Sequence, residues 1–295
     1  MERPAESRAP RAFILPPTRR RGNSGRRVSL HLEVVEPDVL RLHMRTWQGH
    51  LAGYEVSAYV MRDVLIDTGA PRARDEILAA VKALAPRGVV ITHCHEDHAG
   101  NAAELASFGL PLLMDPACEA ALRRPERIGA YRRLVWGSAP ALTAPVRTFD
   151  PSPLIVLPLP GHTEEHLVVW DAERRILAGG DLFLGVKVRI AHGSESPRRL
   201  VESLRAAVAL EPRLLLDAHR GAVYEPVPLL HAKIAWMEET LGRIDALHAR
   251  GLDERSITRQ VLGREELVGW ISRGEYSKRA FVRAVLQHEG ERATH

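Results

Sequence analysis

Long apolar runs are missing from this chain of 295 residues. Stretches such as Leu154 to Leu159 and Leu214 to Leu216 fall far short of the roughly 20 apolar residues that a membrane-crossing helix needs. Near the N-terminus, Phe13, Ile14 and Leu15 run straight into Pro16 and Pro17, so no apolar segment of a secretory signal forms there. Both absences lead us to expect a cytoplasmic protein with no membrane partner. Cysteine is scarce as well: Cys94 and Cys118 cannot build a disulfide framework, which agrees with a reducing compartment. No glycine-rich phosphate loop occurs, so nucleotide-cofactor chemistry has no support. There is no internal repeat.

What the chain does have is an ordinary globular composition, 45% apolar and 26% charged, with a net charge of +4. The position of that charge matters more than its total. Residues 1–28 hold eight arginines against Glu2 and Glu6, a balance of +6, which leaves −2 for the rest. Rich in Arg and Pro, this tail has little apolar area to bury, and we expect it to be disordered. The remainder lacks the basic surplus that nucleic-acid binding usually requires.

Strand-like patterns occur at Val28 to Val35, Val56 to Ile66, Val89 to Thr92, Pro111 to Met114, Leu154 to Leu159, Leu167 to Trp170, Ile176 to Ala178 and Leu214 to Asp217. Helical spacing interrupts them at Ile77, Val81 and Leu84 and again, after Pro197, at Leu200, Leu204 and Val208. The alternation predicts an α/β layer architecture. Beyond Pro226 and Pro228 no strand pattern is evident, and Leu230, Ile234, Met237, Leu241 and Ile244 trace one helical face. Short helices follow over Ser256 to Leu262, Glu265 to Ser272 and Tyr276 to Gln287, so residues 29–228 read as the core domain and 229–295 as a helical C-terminal domain.

Within six residues of an apolar strand stand His93, His95, Asp97 and His98. A cluster this dense is repulsive and costly in a half-buried loop unless a cation organises it. Neutral imidazoles with a carboxylate suit a borderline-soft divalent ion, zinc first, with iron or manganese as alternatives. In an extended segment His93 and His95 point to one side and Cys94 to the other, so Cys94 is not expected to be a ligand. Three further segments follow apolar strands and offer donors: Pro160-Gly161-His162-Thr163, Gly179-Gly180-Asp181-Leu182 and Asp217-Ala218-His219-Arg220. His166, next to the strand Leu167 to Trp170, reads as structural. Lys187, Arg189 and His192 fall in a loop that would border such a site, and Tyr224 is a candidate pocket wall.

With Asp67-Thr68-Gly69 after a strand, the His93 to His98 motif, Gly161-His162-Thr163, Gly180-Asp181 and His219 in this order, residues 30 to 225 resemble the metallo-β-lactamase superfamily. The resemblance implies an αββα sandwich with two divalent metal ions at one edge. It implies that His93, His95 and His162 hold one ion, that Asp97, His98 and His219 hold the other, and that Asp181 bridges them. Asp97 and Asp181 would be the catalytic carboxylates, and Asp67 would orient a ligand or its loop. The final segment departs from the family's usual Pro-Gly-His-Gly type, since Ala218 and Arg220 flank His219. The oxygen-reducing diiron branch tends to carry an acidic residue where His95 stands, so that chemistry is disfavoured.

Such a site implies a metal-activated hydroxide attacking a small ester, thioester or lactone. The C-terminal helices are similar, more weakly, to those of glyoxalase II-like hydrolases and of winged-helix-bearing relatives. Three alternatives stand beside this expectation: an endonuclease for single-stranded RNA or DNA, a mononuclear iron persulfide dioxygenase with the same ligand types, and a binding protein that keeps the site without turnover.

Overall fold

The computed structural model describes residues 29–45 and 55–292. The basic tail lies outside the described residues. Strands β1 (Ser29–Glu36), β2 (Val39–Arg45), β3 (Val56–Met61), β4 (Val64–Ile66), β5 (Gly88–Val90) and β6 (Leu112–Leu113) form one sheet in that order. Its first four strands are antiparallel neighbours, and β4, β5 and β6 run parallel. The second sheet comprises β7 (Ile155–Pro158), β8 (Leu167–Asp171), β9 (Ile176–Gly180), β11 (Leu214–Asp217) and β12 (Gly221–Tyr224), in the order β12-β11-β9-β8-β7. The intervening β10 (Ala191–His192) leaves this sheet and pairs with β13 (Tyr276–Ser277).

Successive side chains of a strand face opposite sides, and here both sides are dry. Val90, Val169, Ile176, Ala178, Leu214 and Leu216 fill the space between the sheets together with Tyr59, Met61 and Ile66. Their neighbours turn outward: Val89 and Ile91 pack with Ile77 of α1 (Arg74–Leu84) and Leu105 of α2 (Ala102–Ser107), beside Leu122 of α3 (Pro116–Arg123). On the far side Val168, Trp170, Leu177 and Leu215 meet Leu200 and Leu204 of α5 (Pro197–Ala209), whereas α4 (Ala130–Val135) belongs to the first face. Four layers, helix on sheet on sheet on helix, result, and double-sided burial explains why the central strands read as continuous apolar runs.

The C-terminal part comprises α6 (Val227–Ala249), α7 (Glu254–Val261), α8 (Leu267–Ile271) and α9 (Lys278–Arg292). All five residues of its apolar stripe, from Leu230 to Ile244, belong to the same buried cluster as the outer face of the second sheet. These helices therefore extend the outer layer and share its core.

Several local readings differ from the structure. Val56 to Ile66 is a hairpin and not one strand: Met61 pairs with Val64, and Arg62 and Asp63 both take positive φ, the geometry of a two-residue hairpin turn. β2 and β12 lie outside the strand-like patterns above, although Leu40, Leu42 and Met44 alternate with Arg41, His43 and Arg45 as a half-buried strand does, while β12, opening on Gly221 and pairing with β11 alone, has no apolar run to mark it. α3 begins where the Asp115 carboxylate accepts the Ala117 N–H ahead of Pro116, an N-cap signal that its short length hid. Tyr276 and Ser277, read as the start of a helix, form a strand because β10 offers them an edge.

Ile244 is fully buried in the shared cluster. Ile244→Ala is expected to cost roughly 2–5 kcal/mol, with urea unfolding followed by tryptophan fluorescence remaining a single transition. Two transitions would show that the C-terminal helices fold as a separate unit.

Candidate metal centre

All of the donors lie just beyond strand ends on one rim. His93 and His95 follow β5, and the chain then tightens, with the backbone N–H groups of His98 and Ala99 donating to the His95 carbonyl at 3.0 and 2.8 Å. This turn swings Asp97 and His98 back toward the histidines. The Asn101 amide donates to the carbonyls of Thr68, Gly69 and Ala70 (2.7, 3.1 and 3.2 Å), clamping the loop on the one after β4. His162 follows Gly161, whose φ is +134° and where a Cβ would lie 2.4 Å from the Leu200 backbone nitrogen. Only glycine lets the loop approach α5 so closely. Asp181 follows β9, and His219 follows β11.

Two groups of donor atoms result: His93, His95, His162 and Asp181 in one, and Asp97, His98 and His219 in the other. In the first, His93 Nε2 and His162 Nε2 lie 3.0 and 3.1 Å from His95 Nδ1. In the second, His219 Nε2 is 3.5 Å and His98 Nε2 is 3.9 Å from Asp97 Oδ2. Asp181 stands between them with its oxygens divided. Oδ1 is 3.2 Å from His98 Nε2 and 3.3 Å from His219 Nε2, while Oδ2 is 3.3 Å from His162 Nε2.

The outward ring nitrogens are held by other groups. His98 Nδ1 meets Asp67 Oδ2 at 2.7 Å, and His219 Nδ1 meets the Glu55 carbonyl at 2.6 Å. Asp67 also accepts the Thr92 N–H (2.8 Å) and hydroxyl (3.0 and 2.9 Å), and its own φ of 63° is a conformation that few side chains adopt. Asp217 ties two donor loops together by accepting the N–H groups of Leu184 (2.7 Å), His219 (2.9 Å) and Arg220 (2.8 Å). His166 places Asp181: its Nδ1 reaches the Leu159 carbonyl at 3.1 Å and its Nε2 accepts the Asp181 N–H at 3.2 Å. Burial drives its pKa down to about 3, so the ring stays neutral in that tautomer.

The protein's own hydrogen bonds do not satisfy the cluster. His98 Nε2 and Asp181 Oδ1 are buried without a hydrogen-bond partner although only 3.2 Å apart, because neither is aligned on the other. Burial and neighbouring imidazoles keep His93 and His95 well below the usual histidine range. Burial also opposes charge on His219, yet the Asp181 carboxylate outweighs it and lifts the pKa to about 9. The same carboxylate, with Asp67, raises His98 well above its ordinary value, and despite burial the three surrounding imidazoles hold Asp181 well below its own. Protons on His98 and His219 thus stand where a cation would serve better. The donor set fits divalent metal ions.

A family model described as the metallo-beta-lactamase superfamily matches residues 52–219. The chain belongs to that superfamily. A hydroxyacylglutathione hydrolase of Anaeromyxobacter dehalogenans (strain 2CP-C) is 32% identical over 196 residues, covering 64% of this chain and 70% of the relative. A beta-lactamase-like protein 2 homolog of Caenorhabditis elegans is 29% identical over 129 residues, 42% of this chain and 41% of the relative. Among solved structures, a metallo-beta-lactamase family protein of Thermus thermophilus superposes with a TM-score of 0.56 at 17% identity, covering 89% of this chain and 94% of that one.

In this superfamily member the structure gathers all seven donors named from the sequence. Cys94 is absent from both groups, and burial pushes its thiol up to about 12. Tyr224, 57% exposed on β12 with its hydroxyl donating to the Val35 carbonyl at 3.4 Å, does not line the cleft beside His162 and Asp181. Lys187 and Arg189 are exposed, and their neighbours Leu184, Val188 and Ile190 face the cleft beside His162 and Asp181 instead. Sequence reasoning overlooked Arg132, which grips Glu96 inside the motif and reaches Glu275 at 3.2 Å from the C-terminal part. Its short helix gives no periodic signal. Lys233 was overlooked too, since it looks like any polar position of a long helix.

Asp67→Ala is expected to weaken metal affinity by about 10–100-fold, read by competition with a chelating dye. Because a bound ion needs neutral imidazoles, adding zinc to chelator-treated protein at pH 7 should release protons from His98 and His219. Apparent affinity should then rise with pH toward about 9. A titration that releases no protons would overturn the assignment of those two rings.

Proposed function

We propose that this chain is a dinuclear zinc hydrolase acting on a small ester, thioester or lactone. The observation that carries the reading is the divided carboxylate of Asp181, with one oxygen turned to His98 and His219 and the other to His162. Ions bound there would supply a water of lowered pKa and polarise the substrate carbonyl. The residues do the rest. Asp181 holds the two halves of the site in register. Asp97, beside His219, is placed to orient the attacking water or take its proton. His166 and Asp67 prevent Asp181 and His98 from turning away. Leu184, Trp236, Met237 and Phe281 keep the flank of the site apolar, which strengthens electrostatic interactions within it.

Two further observations support a small acyl substrate over a nucleic acid. The relative from Anaeromyxobacter dehalogenans is named for hydrolysis of an acyl compound. Four arginines at the contact of α5 with the C-terminal helices and on α9 are engaged with acids: Arg279 and Arg283 of α9 with Glu254, and Arg198 and Arg205 of α5 with Asp245 and Glu238. Phosphate binding would need them free and on one face. No helix among the described residues is long and apolar enough to cross a membrane.

Metal analysis of protein purified without added metal should find two zinc ions per chain. One iron per chain would favour oxidation of a persulfide instead. Asp181→Ala should drop the content to one ion or fewer and abolish hydrolysis of a thioester and lactone panel. Full metal content and turnover in that variant would sink the dinuclear reading.

A further inference from the structure

Beside His162 and Asp181 opens a narrow cleft that is continuous with solvent. Its walls are apolar: Leu184, Val188 and Ile190 from the segment before β10, Trp236 and Met237 from α6, and Phe281 from α9. Two charged side chains line it besides the donor carboxylate, Glu195 and Lys233. Glu195 is already engaged: Oε1 accepts the His192 N–H at 2.7 Å, and Oε2 lies 3.6 Å from His162 Nδ1.

Lys233 is different. It is 2% exposed, and among the described residues its ammonium donates only to the Phe183 carbonyl, with the Phe183 ring 5.8 Å away. The described residues give it no ion pair. Burial lowers its pKa to about 8, so it is still mostly cationic at neutral pH. The Asp217, Glu195 and Asp181 carboxylates act on it only from beyond contact distance, so a buried ammonium with unused donors and no direct ion pair remains costly, and α6 has many exposed positions where a lysine would cost nothing. An anion arriving in the cleft would remove that cost.

We propose that Lys233 is a specificity residue for the hydrolysis suggested above, and that the substrate is an acyl compound whose apolar chain lies along Trp236, Met237 and Phe281 and ends in a carboxylate paired with Lys233. One ammonium matches the single charge of a carboxylate. A phosphate, with more charge and more acceptor oxygens, would call for further donors, and this cleft has none. Lys233 and the donors His162 and Asp181 line one cleft whose other walls are mostly apolar, surroundings that suit methylene groups, so we place the carboxylate at the far end of the chain from the scissile carbonyl.

The test compares matched thioesters on the metal-loaded enzyme: hexanoyl with adipoyl, and octanoyl with suberoyl, each as the phenyl thioester. The wild type should prefer the carboxylated member of a pair by about 10–100-fold in kcat/KM, the range expected for a buried charge-assisted contact. Lys233→Met and Lys233→Gln should each bring that ratio to about one. A wild type with no preference, or variants that slow both members equally and keep the ratio, would overturn the proposal. A second readout needs no turnover, because Trp236 reports on the cleft. Hexanoate should change tryptophan fluorescence in the wild type, with hexanol far weaker, and the response should be lost in Trp236→Phe and in Lys233→Met. Equal hexanoate binding by Lys233→Met would place the carboxylate on the metal ions and defeat the assignment. If no thioester is hydrolysed yet hexanoate binds through Lys233, the hydrolase reading fails while the carboxylate site stands.

Discussion

Five imidazoles and two carboxylates crowded at one rim of a sandwich pose an electrostatic problem that bonds within the cluster do not solve. Turned inward, the ring nitrogens of His93, His95 and His162 face one another at 3.0 and 3.1 Å, and a neutral imidazole has only one proton with which to satisfy such contacts. Asp181 offers negative charge to both halves but leaves Oδ1 unaligned with any donor. Divalent ions held by these donors would resolve both difficulties at once. The shared carboxylate is therefore the point on which the rest of the site depends.

Holding such an arrangement requires rigidity from outside it. The loops that carry His93 to His98, Asp181 and His219 leave β5, β9 and β11, whose residues are buried on both faces, so these strand ends cannot shift without opening one apolar layer or another. The loops are also tied to each other. Asp67 joins the β4 end to His98 and Thr92, and Asp217 joins the Asp181 loop to the His219 loop. The unfavourable backbone conformation at Asp67 is tolerated because four such contacts over-determine it.

The C-terminal helices complete the site from the side. They share their apolar cluster with the outer face of the second sheet, and they deliver Lys233, Trp236, Met237 and Phe281 to the cleft. A polar seam runs through the same contact. Arg132 lies against the Tyr276 ring, 5.6 Å from its centroid, while it binds Glu96 and Glu275, so the His93 to His98 loop and the β10–β13 pair are linked through one guanidinium.

The sequence by itself determined the layer architecture and the dense cluster of His93, His95, Asp97 and His98, because their signals are local: an apolar strand, then a polar loop with closely spaced ligand types; the remaining donors and the orienting role of Asp67 came with the resemblance that the ordered motifs carry. It also determined the buried stripe of α6, since helical periodicity shows on the chain. Only the tertiary structure decided which way each donor faces, that Asp181 divides its oxygens between two groups, and that Lys233 lies buried beside the site while Lys187, Arg189 and Tyr224 are exposed. The physical reason is one of range. A ligand motif or an amphipathic stripe is written over a few residues, whereas the environment of Lys233 is set by α6, α9 and the segment before β10, more than 40 positions away at either extreme. Arg132 escaped for the same reason, for its partner Glu96 lies 36 residues away and no spacing on the chain announces it.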